Sequence, residues 1–167
     1  MPDENSEQRL VVLVDVQNIY YTTRQSYQRN FDYNKFWRSV NKDRVLVKAI
    51  AYATDRGDEK QRQFQNILRA IGFEVKLKPL ISRSDGSAKG DWDVGIAIDA
   101  LEYAPEADVM ILASGDGDFE LLVNKIRAAH AVSVEVFGVP EFTARALMNA
   151  ASVYTPIDEQ WLLGSAR

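Results

Sequence analysis

The sequence predicts an α/β protein, a three-layer α/β/α sandwich around a mainly parallel sheet of five to six strands. Three observations carry that expectation. Runs of strand length, residues 10–14 and 109–113, contain no polar residue, the mark of strands covered on both faces. Between the strands lie stretches whose apolar residues recur at the i, i+3, i+4, i+7 spacing of one helix face. Strands and helices alternate along the chain, as parallel β-α-β units require. A length of 167 residues suits one domain with a full core.

Taken in order, residues 1–8 read as a short disordered lead-in. The first strand, 10–15, ends on Asp15, and Ile19, Tyr20, Arg24 and Tyr27 continue as a helix. Asp32 or Asn34 caps a second helix through Phe36, Trp37 and Val40, because short polar side chains accept from the free N–H groups of a first turn. Residues 45–53 form the second strand and Asp55 and Asp58 mark a turn. Phe64, Ile67, Leu68 and Ile71 then give a helical stripe that Gly72 ends. The third strand, 73–77, runs into a polar, basic loop over 78–90, and long loops in compact domains tend to be functional or mobile. A helix with Val94, Ala97, Ile98 and Leu101 on one face starts near Asp91 or Trp92 and closes at Pro105. The strand beginning at Val109 stops at Ser114-Gly115-Asp116-Gly117-Asp118, after which Phe119, Leu122, Val123 and Ile126 share a helix face. Residues 132–137 are a fifth strand, 138–140 a turn, 141–151 a helix and 153–155 a short sixth strand. Asp158 caps a terminal helix through Trp161, Leu162 and Leu163. There is no internal repeat and no domain linker.

Composition narrows the function. The chain has no cysteine, which removes disulfide frameworks and thiolate metal sites. No apolar run approaches the ~20 residues of a membrane span, and the acidic start is unlike a signal peptide. The cytoplasm is therefore the expected compartment. A net charge of −4 means that the chain as a whole does not attract a polyanion, so local charge matters more than the total.

The acids carry the chemistry. Asp15, Asp93 and Asp116 come from distant segments and fall at carboxyl strand ends or helix starts, where open α/β sheets bind ligands. Asp118 follows in the same turn as Asp116. If the strands at 10–15 and 109–113 are neighbours, these carboxylates meet. Two unit charges about 4 Å apart repel by roughly 4 kcal/mol at an effective dielectric near 20, so such a cluster takes up protons or holds a hard cation. Oxygen-only ligands suit Mg²⁺ or Mn²⁺, which can polarise a phosphoryl oxygen and activate water. That chemistry needs no cysteine or histidine, and the chain has a single histidine. Each acid also has a structural reading: Asp116 as a helix cap, Asp118 and Asp93 as first-turn complements to a helix dipole, Asp15 as a turn residue. Convergence from separate segments favours the metal reading.

Asp15-Val16-Gln17-Asn18, then Lys89-Gly90-Asp91-Trp92-Asp93-Val94 with Asp99, then Ser114-Gly115-Asp116-Gly117-Asp118-Phe119 together resemble the NYN domains of LabA-like bacterial proteins, within the PIN-like nuclease group. The resemblance implies a single NYN domain over residues 9–167 with a PIN-like fold. It also implies acids around Mg²⁺ or Mn²⁺ and hydrolysis of RNA phosphodiester bonds. On this resemblance Asp15 is the first acid, Asn18 its polar companion, Asp93 the acid opening the middle helix, and Asp116 and Asp118 the last pair. Asp99 matches a recurrent acid but lies roughly 240° around the helix from Asp93 at 3.6 residues per turn. The family more often places its acid three residues after the lysine, so Asp91 competes with Asp93 for the role. The alternative function is a non-catalytic module of the same fold that binds RNA or a protein, and a homodimer is compatible with either.

Other residues have two readings each. Ser114 either bonds a phosphate or metal-bound water, or orders its own turn. Gly115 and Gly117 allow a tight turn. Lys76, Lys78, Arg83 and Lys89 either hold a nucleic-acid backbone, with Lys89 the first choice for a phosphate contact, or protect an edge strand. Tyr20, Tyr21, Tyr27, Phe31, Tyr33, Phe36 and Trp37 are read as core, with Tyr20 or Tyr21 the exception that can stack on a base. His130 complements a helix C-terminus, away from the acids. A phosphorylated receiver domain needs a lysine near the fifth strand, and residues 132–140 have none. A haloacid-dehalogenase-type phosphatase needs Asp-x-Asp after the first strand, where this chain has Asp15-Val16-Gln17.

Overall fold

An all-apolar strand is stable only if both of its faces are covered, and the architecture follows from that need. A computed structural model describes residues 7–79, 81–82, 88–89 and 91–164, with the backbone alone for Pro79, Ile81, Ser82, Ala88 and Lys89. In chain order the strands are β1 (Gln8–Asp15), β2 (Arg44–Asp55), β3 (Glu74–Pro79), β4 (Ile81–Ser82), β5 (Ala88–Lys89), β6 (Val109–Ala113), β7 (Ser133–Gly138) and β8 (Val153–Pro156). The α-helices are α1 (Val16–Tyr27), α2 (Tyr33–Asn41), α3 (Glu59–Ile71), α4 (Asp93–Tyr103), α5 (Glu120–His130) and α6 (Arg145–Ala150).

Six strands form one sheet in the order β3-β2-β1-β6-β7-β8, and every pairing in it is parallel. The central pair, β1 and β6, runs in register from Leu10 opposite Val109 to Val14 opposite Ala113. Two cores flank the sheet. Leu10, Val12 and Val14 face one with Ile19, Phe36, Leu68 and Trp161. Val11 and Leu13 face the other with Ile96, Phe119, Val123 and Leu147. This alternation explains why β1 carries no polar residue from Leu10 to Val14: both faces of that stretch look into hydrocarbon. The result is the three-layer α/β/α, PIN-like fold. No helix among the described residues is long and apolar enough to cross a membrane.

Local chemistry sets most of the helix starts. Asp15, Asp32 and Asp58 cap α1, α2 and α3 by accepting from the backbone N–H three residues on. Gly72, at φ 137°, takes up the backbone conformation beyond the end of α3. Asp32, not Asn34, is the cap of α2.

The expected apolar face of the middle helix is not its buried one: Val94, Ile98 and Leu101 are exposed and α4 packs through Ile96, Asp99 and Ala100. Three further elements differ from the sequence expectation. The helix over 141–151 is a 3₁₀ turn at Pro140–Phe142 followed by the shorter α6. Thr143 and Ala144 between them are extended, because Thr143 Oγ1 donates to the Val139 carbonyl (2.7 Å) and the Ala144 N–H donates to the Gly115 carbonyl (3.1 Å). The terminal helix is one 3₁₀ turn, Glu159–Trp161. The chain then runs beside residues 30–32, with Leu162 bridging Phe31 and the Leu163 N–H donating to the Asn30 carbonyl (2.8 Å). The 78–90 loop contains a short antiparallel ribbon, β4 with β5. Residues 1–6 of the lead-in lie outside the described residues, and β1 already begins at Gln8.

Candidate metal centre

The parallel pairing of β1 with β6 brings their carboxyl ends side by side, so Asp15 meets the Ser114–Asp118 loop. Asp15 is only 8% exposed. Its Oδ1 accepts the Asn18 N–H (3.3 Å) and its Oδ2 accepts the Ser114 hydroxyl (3.1 Å). Ser114 Oγ in turn accepts the Asp116 N–H (3.2 Å), Asn18 Oδ1 accepts the Gly115 N–H (3.0 Å), and Asp116 Oδ1 accepts the Asp118 N–H (2.9 Å). Each buried polar group in this lattice has a partner, so it fixes the loop in one conformation. Ser114 is fully buried. Its hydroxyl therefore orders the turn and is not presented to a phosphate.

The loop is also clamped from outside. A Cβ on Gly115 would stand 2.5 Å from the Phe142 carbonyl oxygen, and one on Gly117 would stand 2.8 Å from Ala144 Cβ. These glycines are required by the close approach of residues 142–144, not by a positive φ.

The arrangement aims three carboxylates at one point. Asp93 in the first turn of α4, Asp116, and Asp118 in the following 3₁₀ turn each offer an oxygen, and these oxygens lie within 4.8 Å of one another. Asp93 and Asp116 are half-buried and Asp118 is exposed. Asp15 is outside that trio, one hydrogen-bonded layer behind it through Ser114. Asp91 stands beside the group, its Oδ1 3.4 Å from the Asp93 N–H. Burial, a proton shared with Asp116, and the charges of Asp116, Asp15 and Asp91 push the Asp93 carboxyl up to about 7. Burial pushes Asp15 up to about 6, with the Asn18 N–H and the Ser114 hydroxyl opposing and the Asp116 and Asp91 charges adding.

These acids cannot all ionise comfortably side by side, and a hard cation relieves that strain. Around one octahedral Mg²⁺ at ~2.1 Å, opposite oxygens stand about 4.2 Å apart and adjacent ones about 3 Å, so side chains that already lie within 4.8 Å of one another must draw together to share an ion. Oxygen donors such as these carboxylates suit Mg²⁺ and Mn²⁺, which complete their coordination with water.

Asp99 lies elsewhere. It is buried and accepts from the Tyr52 hydroxyl (2.8 Å) and from Lys76 Nζ (2.8 Å). It therefore ties α4 to β2 and β3, and Lys76 is taken up by that pair. The same burial and bond raise the Tyr52 hydroxyl well above its ordinary range.

Sequence reasoning did not single out Trp92 as a site residue. Its Nε1 donates to the Ala53 carbonyl (2.8 Å), and its ring packs on Tyr52 at 5.4 Å. Lys78 Nζ sits 5.4 Å over that ring and donates to the Asp91 carbonyl (3.0 Å). Lys78 is thus the described lysine beside the acids. Arg83 and the side chain of Lys89 lie outside what the structure describes. Adjacency to Asp91 and Asp93 was the available signal for Trp92. His130 ends α5 in its last, basic turn.

Comparison with known proteins adds three findings. The profile of the NYN domain matches residues 9–158, a span that includes Asp15, Asn18, Asp93, Ser114, Asp116 and Asp118. The "Low amplitude and bright protein LabA" of Synechococcus elongatus is 28% identical over 162 residues, covering 90% of this chain and 84% of that protein. A Vibrio parahaemolyticus protein of unknown function has a crystal structure that matches with a TM-score of 0.92 and 52% identity, over 98% of this chain and 100% of that one.

Proposed function

The chain belongs to the NYN domain family, and on that premise we propose that it is a divalent-metal-dependent ribonuclease. The observation that carries this reading is the gathering of Asp93, Asp116 and Asp118, from two separate segments, with oxygens inside 4.8 Å. These three residues hold the ion in this reading. When bound, Mg²⁺ or Mn²⁺ supplies Lewis-acid polarisation of a phosphoryl oxygen and lowers the pKa of a coordinated water.

The chain's own residues do the positioning. Asp15, through Ser114 and Asn18, holds the Asp116–Asp118 loop against the start of α1. Its negative charge behind the trio strengthens the pull on a cation. Lys78, beside Asp91, offers a positive charge to an incoming phosphate. Asn18 and Lys89 complete the proposed substrate contacts. Asp93 retains a proton below about pH 7, and that proton competes with the cation, so activity rises with pH through that value.

The test uses end-labelled single-stranded RNA with Mn²⁺. Wild type cleaves it, while Asp93→Asn and Asp116→Asn each lose on the order of 100-fold in rate with thermal melting still cooperative. Intact RNA across Mg²⁺, Mn²⁺ and pH 6–9 would overturn the reading and leave a non-catalytic RNA- or protein-binding module of the same fold.

A further inference from the structure

The nuclease reading leaves a physical difficulty. The candidate site is a cluster of carboxylates in a chain of net charge −4, and such a surface repels a polyanion before it attracts one. Affinity for a nucleic acid must then come from groups other than a general basic face. Exposed aromatic side chains are such groups. Among the described residues, the exposed aromatic side chains are Tyr20 (53%), Tyr21 (48%) and Phe142 (38%). All three belong to segments that touch the acid-bearing loop. Tyr21 follows Asn18 by three residues, which places both on one face of α1, and Asn18 accepts the Gly115 N–H. The Phe142 carbonyl oxygen lies 2.5 Å from where a Cβ on Gly115 would be. Ser26 Oγ donates to Glu141 Oε2 (3.0 Å), tying α1 to the turn that carries Phe142.

The tyrosine pair has a defined geometry. The Tyr20 and Tyr21 rings meet edge to face with centroids 5.5 Å apart. Arg56, just past the carboxyl end of β2, donates from Nη2 to the Tyr21 hydroxyl (2.8 Å). This holds the ring in place and adds a cation beside it. Exposed aromatic rings with a guanidinium alongside are the chemistry of single-stranded nucleic-acid binding, because every unpaired base has a face to stack. Bases inside a duplex have no free face. Stacking is also indifferent to net charge, which the acid cluster makes necessary.

We propose that Tyr20, Tyr21 and Phe142, with Arg56, form a stacking rim that binds the unpaired bases of a single-stranded nucleic acid and sets its phosphates over the acids. The inference rests on the nuclease reading for the choice of partner, but its test does not need catalysis.

Fluorescence anisotropy is measured on the full chain in EDTA at low salt. The probes are a labelled 12-nucleotide single strand, its duplex, and the same strand carrying abasic sites. The single strand binds more tightly than either of the other two. Tyr21→Ala and Tyr20→Ala each weaken it about tenfold, the effect of losing one stacked base. Tyr21→Phe, which keeps the ring, stays within about twofold of wild type. Equal binding of single strand and duplex, equal binding of the abasic strand, unchanged binding by both alanine variants, or no binding by wild type would each overturn the proposal. Cleavage with Mn²⁺ separates it from the nuclease reading. Cleavage with unaltered KM in the tyrosine variants removes the rim and leaves the nuclease. Ring-dependent binding without cleavage does the reverse.

Discussion

At the scale of single residues, the site is held in an electrostatically unfavourable state, and this has a measurable consequence. Asp93 binds its proton up to about pH 7 and Asp15 up to about 6 in the folded chain, against an ordinary aspartate near 3.9 when unfolded. Between those limits the folded state carries more protons than the unfolded one, so stability falls as pH rises from about 4 to about 7. Asparagine at position 93 has no charge to repel. In EDTA, Asp93→Asn is therefore expected to be more stable than wild type at pH 8, with the difference vanishing by about pH 4. Water reaches Asp93, which screens its charge, so the gain is about 1 kcal/mol rather than the full value implied by the shift. Urea unfolding at the two pH values checks it, and equal stabilities at pH 8 would contradict the argument. The acids were legible individually because Asp at a strand end or helix start is a local signal. Their division of labour was not. Asp15 lies behind the trio because Ser114 comes between, and Asp99 turns away because Tyr52 and Lys76, from other strands, claim it.

At the scale of elements, the Ser114–Asp118 loop owes its shape to a segment more than twenty residues later in the chain. The Ala144 N–H reaches the Gly115 carbonyl, and the Phe142 carbonyl oxygen stands 2.5 Å from where a Cβ on Gly115 would be. This contact is why residues 143–144 are extended and why the expected 141–151 helix is interrupted. Apolar periodicity marks a candidate buried face, which on α4 was the wrong one because Val94, Ile98 and Leu101 are exposed, and it contains nothing about a backbone bond to a distant loop. The same limit explains the terminal helix, since the partner of Leu163 is Asn30. Gly115→Ala tests the clamp. Its Cβ would meet backbone oxygen at 2.5 Å, and backbone cannot swing aside. Destabilisation of about 1–3 kcal/mol is expected from the overpacking. Mn²⁺ binding should weaken as well, because the loop that aims Asp116 and Asp118 must move. Gly117→Ala meets only the Ala144 methyl, at 2.8 Å, and should be the milder of the two. Urea unfolding and Mn²⁺ titration of both variants give the comparison, and a harmless Gly115→Ala would mean that the clamp does not shape the site.

At the scale of the whole molecule, the sheet was legible because its strands satisfy one simple demand, hydrocarbon on both faces. Leu10 to Val14 alternate between two cores, so a helix layer must cover each face of the sheet. That fold places the acids at one edge without a basic partner among the described residues, so in the proposed reading cation binding stabilises the folded domain. A ligand that binds only the folded state stabilises it by RT ln(1 + [L]/Kd), about 2.7 kcal/mol at a hundredfold excess over Kd. For a chain of 167 residues each kcal/mol moves the melting temperature by about 2–4 °C, so saturating Mn²⁺ should raise it by roughly 5–10 °C. In the proposed reading the proton on Asp93 competes with the ion. The increment should therefore be larger at pH 8 than at pH 6, and much smaller in Asp93→Asn at both. A thermal melt series in EDTA, Mg²⁺ and Mn²⁺ at the two pH values measures all of this. A melting temperature indifferent to Mn²⁺ at pH 8 would show that the carboxylates settle their repulsion with protons and water alone.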